Sequence, residues 1–308
     1  MEKITQSGQV IELQQNIQNF VYDFTVETTP FSAKKISNFQ KILKPATTVY
    51  VTFLPGTDFR ETIKTVKRLK HEGFNPVPHI VARSILNRNN LDDAINQLTG
   101  EFGVQEVLCI AGAVKNPLGE FTNSMDLLET GIFDKYNIKK IGVAGHPEGS
   151  PGISDQNIAH ALSWKNKFND RTDSTLYIIT QFCFDPEPII AWDKKIKASG
   201  NVLPIRIGEP GIASLKTLLG YAKSCGVGES INFLKRQARN VTKLLKASTP
   251  DKQITALSRY KTTDKSCGIT GIHMYPLGDL EKSVDWAYAV ADGKFKISNS
   301  QDGFSIHK

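Results

Sequence analysis

The feature that most constrains this fold is the regular alternation of short apolar, β-branched runs with longer segments of helical period. Such alternation is typical of parallel βαβ units. Predicted strands span 20–27, 48–54, 77–81, 107–112, 141–145, 176–182, 203–208 and 272–275. Predicted helices span 57–72, 91–102, 124–136, 155–169, 187–199, 212–224, 229–247 and 280–291. Eight such strands in 308 residues favour an α/β fold, a single-domain (β/α)8 TIM barrel, over an open Rossmann sheet.

The chain shows no internal repeat, low-complexity segment or Pro/Ser-rich linker that would divide it. We therefore expect a polar N-terminal extension at 1–19 and one barrel domain at 20–308. The first twenty residues lack the basic start and apolar centre of a secretory signal. No run approaches the roughly 20 apolar residues of a membrane helix. These features predict a cytoplasmic protein, and four widely spaced cysteines without a CxxC pair predict reduced, mostly structural thiols.

The net charge of +7 and the pI near 9.1 are compatible with nucleic acid, a membrane surface or an anionic small ligand. The basic residues are spread along the chain, and the densest cluster, at 235–246, has the spacing of a solvated helix face. No zinc finger or RNP-type aromatic motif is present. We expect a small-molecule partner, with no nucleic acid and no membrane. The oligomeric state stays open, a homo-oligomer included.

Polar residues and glycines gather where the predicted strands end. In a TIM barrel the carboxyl ends of the strands share one face, where the chemistry takes place. The residues at these ends are Glu27, Thr52, His79, Gly112, His146, Glu148, Gln181, Glu209, His273 and Tyr275. We expect them to converge on one mouth, which would suit proton transfer and the binding of a flat polar heterocycle.

Several common catalytic motifs are absent from the sequence. It contains no GxxxxGK[ST] loop, no GxGxxG between a strand and a helix, and no GxSxG elbow. His146 and Glu148 are the one close pair of metal-ligand types, and no third ligand accompanies them. We therefore expect no catalytic metal. A metal-dependent barrel lyase that uses this pair remains an alternative.

Six motifs carry a family resemblance. They are TVETTP at 25–30, VTF at 51–53, PHI at 78–80, IAG at 110–112, VAGHPE at 143–148 and ITQFCFD at 179–185. In their order and approximate spacing, the chain resembles the methylenetetrahydrofolate reductase family from about residue 20 to residue 275. The fifth and sixth motifs are the most specific. The resemblance implies a TIM barrel that holds FAD noncovalently at the carboxyl ends of its strands.

The resemblance also implies an activity. The family interconverts 5,10-methylenetetrahydrofolate and 5-methyltetrahydrofolate (EC 1.5.1 type) by hydride transfer through flavin N5, with NADH or NADPH as electron donor. Glu27 matches the family's general acid, which protonates the nitrogen that departs when the five-membered ring opens. Gln181 matches the glutamine that binds the pterin edge. The substrate would be a reduced folate, with or without a polyglutamate tail.

The same family resemblance also implies which residues contact the cofactor and the substrate. Positions that contact FAD in the family correspond to Thr52, His79, Ala111, Gly112, Ala113, Asn123, Ser124, His146, Ser150, His160, Ser163 and Lys167. Lys167 would contact the FAD phosphates. Beside Gln181, the resemblance places Ala113, Leu215 and Tyr275 at the substrate.

Several of these positions depart from the family pattern. Ala111 and Ala113 replace an arginine and an aspartate, and we expect Arg83 to supply the lost positive charge to the cofactor. His160 and Ser163 replace an aspartate and an asparagine, and Leu215 replaces an aromatic residue that stacks on nicotinamide. These departures favour an alternative function: a folate-binding or methyl-transfer partner protein on the same barrel that lacks redox activity.

Overall fold

A computed structural model describes residues 2–54, 56–225 and 247–307. Its strands are β1 (Thr25–Thr28), β2 (Thr48–Val51), β3 (Asn75–Val81), β4 (Glu106–Ile110), β5 (Lys140–Gly145), β6 (Thr175–Phe182), β7 (Ile205–Pro210), β8 (Ala213–Ser214), β9 (Ala247–Ser248), β10 (Ile269–Tyr275), β11 (Phe295–Ile297) and β12 (Phe304–Ile306). Eight of them close a barrel in the order β1-β10-β7-β6-β5-β4-β3-β2. The predicted (β/α)8 fold is therefore confirmed. The pairs β8–β9 and β11–β12 are short antiparallel additions.

The described helices are α1 (Glu2–Val21), α2 (Pro30–Ala33), α3 (Phe59–His71), α4 (Arg88–Phe102), α5 (Ser124–Leu128), α6 (Ile132–Lys135), α7 (Asp155–Asn169), α8 (Pro186–Ala198), α9 (Leu215–Cys225), α10 (Asp251–Thr263) and α11 (Leu280–Ala291). Polar caps set several starts: Asp58 accepts from the Arg60 amide at α3, and Asp185 accepts from the Glu187 amide at α8. None of the described helices has the length and apolar character to cross a membrane.

The N-terminal residues form a helix, although the sequence suggests a polar extension followed by a strand at 20–27. Leu13, Ile17 and Phe20 are buried at the three- and four-residue spacing of one helix face. This face explains why the apolar run from Phe20 continues α1 instead of beginning β1. The strand begins at Thr25. The division into 1–19 and 20–308 stays a prediction.

Other differences have local causes. The helix predicted at 124–136 is split into α5 and α6 because Gly131 takes a left-handed conformation with φ of 68°. Helix α10 and the β11–β12 hairpin were not predicted. The helix predicted at 229–247, with its basic cluster at 235–246, lies outside the described residues except at its last position.

By internal packing the chain falls into two compact units. The second unit comprises Thr25–Gly145 and Ala159–Ile179. It contains the parallel ladder from β1 to β5, in which Glu27 is paired with Tyr50 and His79 with Leu108. The core of this unit holds the buried side chains of Tyr50, Val77, Leu108, Tyr177 and Ile179.

The first unit comprises Met1–Phe24, His146–Ile158 and Thr180–Lys308. Its strands β7 and β10 are parallel, with Gly208 beside His273 and Glu209 beside Met274. Helix α1 packs against α10 and α11. A core cluster of this unit is formed by Phe182, Phe184, Leu215 and Leu218.

Candidate active site

Glu27 and His79 lie together in the second unit. Strand β1 ends one residue after Glu27, and β3 carries His79 near its own carboxyl end. The Glu27 Oε2 and His79 Nε2 atoms are 4.0 Å apart, and these side chains are 16% and 7% exposed. The two groups are therefore within ion-pair range, and an imidazolium at His79 would attract a carboxylate at Glu27. The sequence predicted both residues for the site.

A pair of buried tyrosines packs next to this imidazole. The Tyr50 ring meets the His79 ring edge to face, with centroids 6.3 Å apart. The hydroxyl of Tyr50 is 2.5 Å from the hydroxyl of Tyr177. Burial raises the pKa of Tyr177 well above its ordinary value, and the neighbouring Tyr50 and Glu106 add to the shift. Burial therefore favours the protonated form of Tyr177, which is hydrogen-bonded to the tyrosine whose ring packs against His79.

Thr52 and Gly112 provide a test of the FAD assignment. The Thr52 Oγ1 atom is buried and has no hydrogen-bond partner among the described residues, so it fits a site where a bound molecule completes its hydrogen bonding. Gly112 has φ of 92°, and a Cβ there would overlap the side chain of Val81. Only glycine suits this position, which brings the backbone of the loop close to β3. The buried Thr52 hydroxyl fits a bound cofactor, whereas the close approach at Gly112 reflects packing of the loop against Val81.

Arg83 forms hydrogen bonds with the loop that follows β4. Its Nε donates to the carbonyl of Thr122 at 2.7 Å, and its Nη1 donates to the carbonyl of Val114 at 3.1 Å. Its own backbone accepts from the Leu118 amide and donates to the Ala111 carbonyl. The guanidinium thus fastens the loop that carries Ala111, Gly112 and Ala113, and two of its donor atoms are already occupied.

The other cofactor positions of the second unit lie on two helices. Asn123 caps α5, where its side chain accepts from the amides of Met125 and Asp126, and Ser124 is buried at the first position of that helix. His160, Ser163 and Lys167 are all exposed on α7. Their spacing of three and four residues places them on one face of that helix.

Three of the four predicted substrate residues, Gln181, Leu215 and Tyr275, lie in the first unit, whereas Ala113 belongs to the second unit. The Tyr275 hydroxyl donates to the carbonyl of Thr180 at 3.0 Å. A Cβ at Gly208 would lie 2.6 Å from that carbonyl oxygen, 2.7 Å from the Tyr275 ring and 2.9 Å from the carbonyl carbon of Gln181. Leu215 is buried in the Phe182 cluster, against which Tyr275 also packs. The absent side chain at Gly208 therefore makes room for the Tyr275 ring beside the Gln181 strand.

A buried carboxyl group lies on β7 of the same unit. Glu209 is fully buried; its Oε1 accepts from Gln253 Nε2 at 3.1 Å, whereas its Oε2 has no hydrogen-bond partner among the described residues. Gln253 also donates to the carbonyl of Cys183 at 3.2 Å. Burial raises the pKa of the Glu209 carboxyl well above its ordinary value, although the Gln253 hydrogen bond opposes the shift. Burial therefore favours the protonated form of Glu209.

His146 and Ser150 occupy a turn after β5. The Gly149 amide donates to the His146 carbonyl, and Gly149 has φ of 76°. Glu148, in the same turn, interacts with the Cys183 thiol; burial raises the pKa of that thiol, and the nearby Glu148 and Glu209 raise it further. In the described parts of the chain, no three His, Cys, Asp or Glu side chains are grouped so that they could hold a metal ion. The metal-dependent lyase therefore has no ligand cluster there to support it.

Sequence reasoning missed Tyr50, Tyr177 and Gln253, and it left Glu209 without a role. The position of Glu209 directly after the predicted strand at 203–208 was a usable signal for this residue. The tyrosines sit in ordinary strand patterns, and their contact joins positions 127 residues apart. Gln253 lies on a helix that the apolar pattern did not predict.

Comparison with known proteins agrees with the resemblance. A family model described as methylenetetrahydrofolate reductase matches residues 11–284. Methylenetetrahydrofolate reductase 1 of Schizosaccharomyces pombe is 31% identical over 151 residues, 47% of this chain and 23% of that protein. Methylenetetrahydrofolate reductase 2 of Saccharomyces cerevisiae is 28% identical over 148 residues, 45% of this chain and 23% of that protein. The match thus covers less than a quarter of either relative.

The fold is also similar to that of solved structures. One of them is an uncharacterized protein from Clostridium thermocellum described as binding two copies of 5-methyl-5,6,7,8-tetrahydrofolic acid. The TM-score is 0.50 at 14% identity, and the match covers 90% of this chain and 99% of that chain. At this identity the likeness concerns the fold alone. The family assignment comes from the family model, whose match covers most of the sequence: the chain belongs to the methylenetetrahydrofolate reductase family.

Proposed function

We propose that this protein is an FAD-dependent oxidoreductase that interconverts 5,10-methylenetetrahydrofolate and 5-methyltetrahydrofolate. The observation that carries the proposal is the placement of Glu27, a largely buried carboxyl at the carboxyl end of β1, 4.0 Å from His79. A carboxyl group in such a setting can hold a proton and deliver it to a bound substrate. Family membership supplies the folate as the substrate class.

In this proposal Glu27 is the general acid. When the five-membered ring of the folate opens, the bond between the methylene carbon and the departing nitrogen breaks and its electron pair stays on that nitrogen. Glu27 gives the nitrogen its proton and becomes a carboxylate. Gln181 binds the pterin edge, and Tyr275, which the Thr180 carbonyl and Gly208 hold in place, lines the substrate position.

When bound, FAD supplies the hydride that converts the methylene carbon to a methyl group, and NADH or NADPH serves as electron donor. Thr52 would hydrogen-bond the cofactor through its unpartnered Oγ1, and the Ala111–Ala113 backbone would approach it closely at Gly112. The exposed face of α7, with Lys167, would bind the phosphates.

A flavin experiment tests the proposal. Purified protein should be yellow or take up added FAD, and methyltetrahydrofolate should bleach its flavin absorbance anaerobically. Glu27→Gln should keep the FAD but lose folate turnover by roughly 10²–10⁴-fold, the range of general acid catalysis. Glu101→Gln, an exposed carboxyl at the end of α4, is the matched control and should behave as the original protein. A colourless protein that ignores FAD would rule the proposal out.

One observation favours a second candidate, a folate-binding or methyl-transfer protein without redox activity. The family's arginine and aspartate are replaced by Ala111 and Ala113, and the Arg83 guanidinium donates to the carbonyls of Val114 and Thr122. The side chains of Ala111 and Ala113 are uncharged, so the 111–113 segment brings no charge to a flavin. Calorimetry separates the two functions, because the second predicts folate binding that is independent of FAD.

A further inference from the structure

A group close to the proposed acid in the second unit is itself able to carry a proton. The His79 Nε2 and Glu27 Oε2 atoms lie 4.0 Å apart, within ion-pair range but beyond a direct hydrogen bond. Both side chains are largely shielded from water. An imidazolium at His79 would therefore stabilise the carboxylate that Glu27 becomes after it gives its proton to a substrate.

Two tyrosines lie close to the imidazole. On β2 the Tyr50 ring packs against His79, and the Tyr50 hydroxyl is hydrogen-bonded to Tyr177 of β6. The Glu106 carboxyl, on β4, interacts with Tyr177. Of these groups, Glu27 is the carboxyl that the structure places within ion-pair range of His79.

From this arrangement we propose that Glu27 and His79 act as one proton-carrying pair, with His79 as the second catalytic residue of the acid step and Tyr50 and Tyr177 as its positioning residues. The inference rests on the proposed function and deepens it, because it assigns His79 a role in proton transfer in addition to contact with the cofactor. It also explains why a tyrosine pair is built into the interior beneath the acid.

The proton balance of the pair is simple. Before the step, Glu27 holds the proton and His79 is neutral. As the carbon–nitrogen bond of the folate breaks, the nitrogen takes the Glu27 proton together with the electron pair of that bond. His79 takes a proton from solvent, and the resulting imidazolium neutralises the Glu27 carboxylate. The starting state returns when the two side chains close from 4.0 Å to hydrogen-bond distance and the Nε2 proton of His79 passes to the Glu27 carboxylate.

A nitrogen NMR titration of the histidine rings tests the pair without any turnover. His79→Asn identifies the His79 signal. In Glu27→Gln that signal should titrate at a pH lower by about one unit or more, because the carboxylate that favours the imidazolium is gone. His71, exposed at the end of α3, is the internal control and should not move. An unmoved His79 signal would overturn the proposal.

Chemical rescue tests the catalytic role. His79→Ala should slow folate-dependent bleaching of the flavin by roughly 10²-fold or more, and added imidazole should restore part of the rate with a pH dependence that follows imidazole. His71→Ala should match the original protein and show no effect of imidazole. A His79→Ala variant with the original rate and pH profile would contradict a role in proton transfer.

The NMR titration and the flavin assay together also separate this inference from the proposed function. A protein that ignores FAD and folate, but whose His79 signal shifts in Glu27→Gln, would retain the pair and refute the reductase activity. A protein that bleaches with methyltetrahydrofolate, but whose His79 signal is indifferent to Glu27, would retain the activity and refute the pair.

Discussion

The hydroxyl groups of Tyr50 and Tyr177 share a hydrogen bond of 2.5 Å inside the second unit, and it links β2 to β6. Both side chains are buried, so Tyr50→Phe or Tyr177→Phe removes this hydrogen bond from the interior. Each single change should lower the free energy of unfolding by roughly 0.5–1.5 kcal/mol, the net contribution of a typical hydrogen bond. The double change to Phe removes both groups and should cost much less than the sum of the two single changes. Denaturant unfolding of the four proteins measures this coupling.

The exposed Tyr22 supplies the control for the comparison of these four proteins. Tyr22 is 76% exposed, so Tyr22→Phe should change the free energy of unfolding by less than about 0.5 kcal/mol. Strict additivity of the two interior changes would show that the phenols do not depend on one another.

The pH dependence of stability should report on Glu209. Burial raises the pKa of this carboxyl in the folded protein above its usual value of 4.5. The folded chain therefore keeps a proton that the unfolded chain loses, so the contribution of Glu209 to stability is complete below pH 4.5 and falls as pH rises toward the folded pKa. Glu209→Gln keeps an acceptor for Gln253 and cannot ionise. This variant should become progressively more stable than the original protein as pH rises above 4.5.

Thermal unfolding at a series of pH values checks this prediction. Glu12→Gln, on the exposed side of α1, is the matched control and should leave the pH dependence unchanged. If Glu209→Gln and the original protein kept the same difference in stability at every pH, Glu209 would not be the buried neutral acid described here.

The architecture was predictable because it depends on local patterns. Apolar runs separated by helical segments specify a parallel barrel, and in a parallel barrel the strand ends share one face. That rule placed Glu27 and His79 among ten strand-end residues, and the structure places these two 4.0 Å apart. The main errors arose where a local pattern is ambiguous: the apolar face of α1 ends at Phe20 and Val21, a few residues before β1, so the two elements read as one strand.

The contacts that tune the site were less accessible to sequence reasoning. The Tyr50–Tyr177 bond depends on which side of each strand faces the interior and on barrel register, and neither is encoded within a short window. Glu209 acquires its partner from α10, through Gln253. Arg83 was expected to face a cofactor, and no local signal indicates that its guanidinium would bind the carbonyls of Val114 and Thr122.

Arg83 gives a prediction about loop order. Lysine keeps the charge but lacks the planar fork that reaches Val114 and Thr122 together, so Arg83→Lys should lose at least one of these hydrogen bonds. The free energy of unfolding should fall by roughly 1.5–3 kcal/mol. Hydrogen exchange of the amides at 112–122 should accelerate, and the affinity for FAD should fall if the loop supports the cofactor.

Arg60→Lys is the control for this substitution. Arg60 is exposed and pairs with Asp58, and surface pairs of this kind contribute about 0–1 kcal/mol. Unchanged exchange at 112–122 in Arg83→Lys would show that the backbone hydrogen bonds of Arg83 hold the loop by themselves.

Gly208 gives the sharpest steric prediction. A methyl group there would lie 2.6 Å from the Thr180 carbonyl oxygen and 2.7 Å from the Tyr275 ring, and the backbone oxygen cannot move aside as a flexible side chain would. Gly208→Ala should therefore lower the free energy of unfolding by roughly 1–3 kcal/mol and weaken folate binding as Tyr275 is displaced. Gly220→Ala on α9, where the added methyl group has open space, should instead stabilise the protein by about 0.5–1 kcal/mol. Denaturant unfolding and folate titration of the Gly208→Ala and Gly220→Ala proteins test this prediction. A Gly208→Ala protein with unchanged stability and folate affinity would show that the position of Tyr275 does not depend on this close approach.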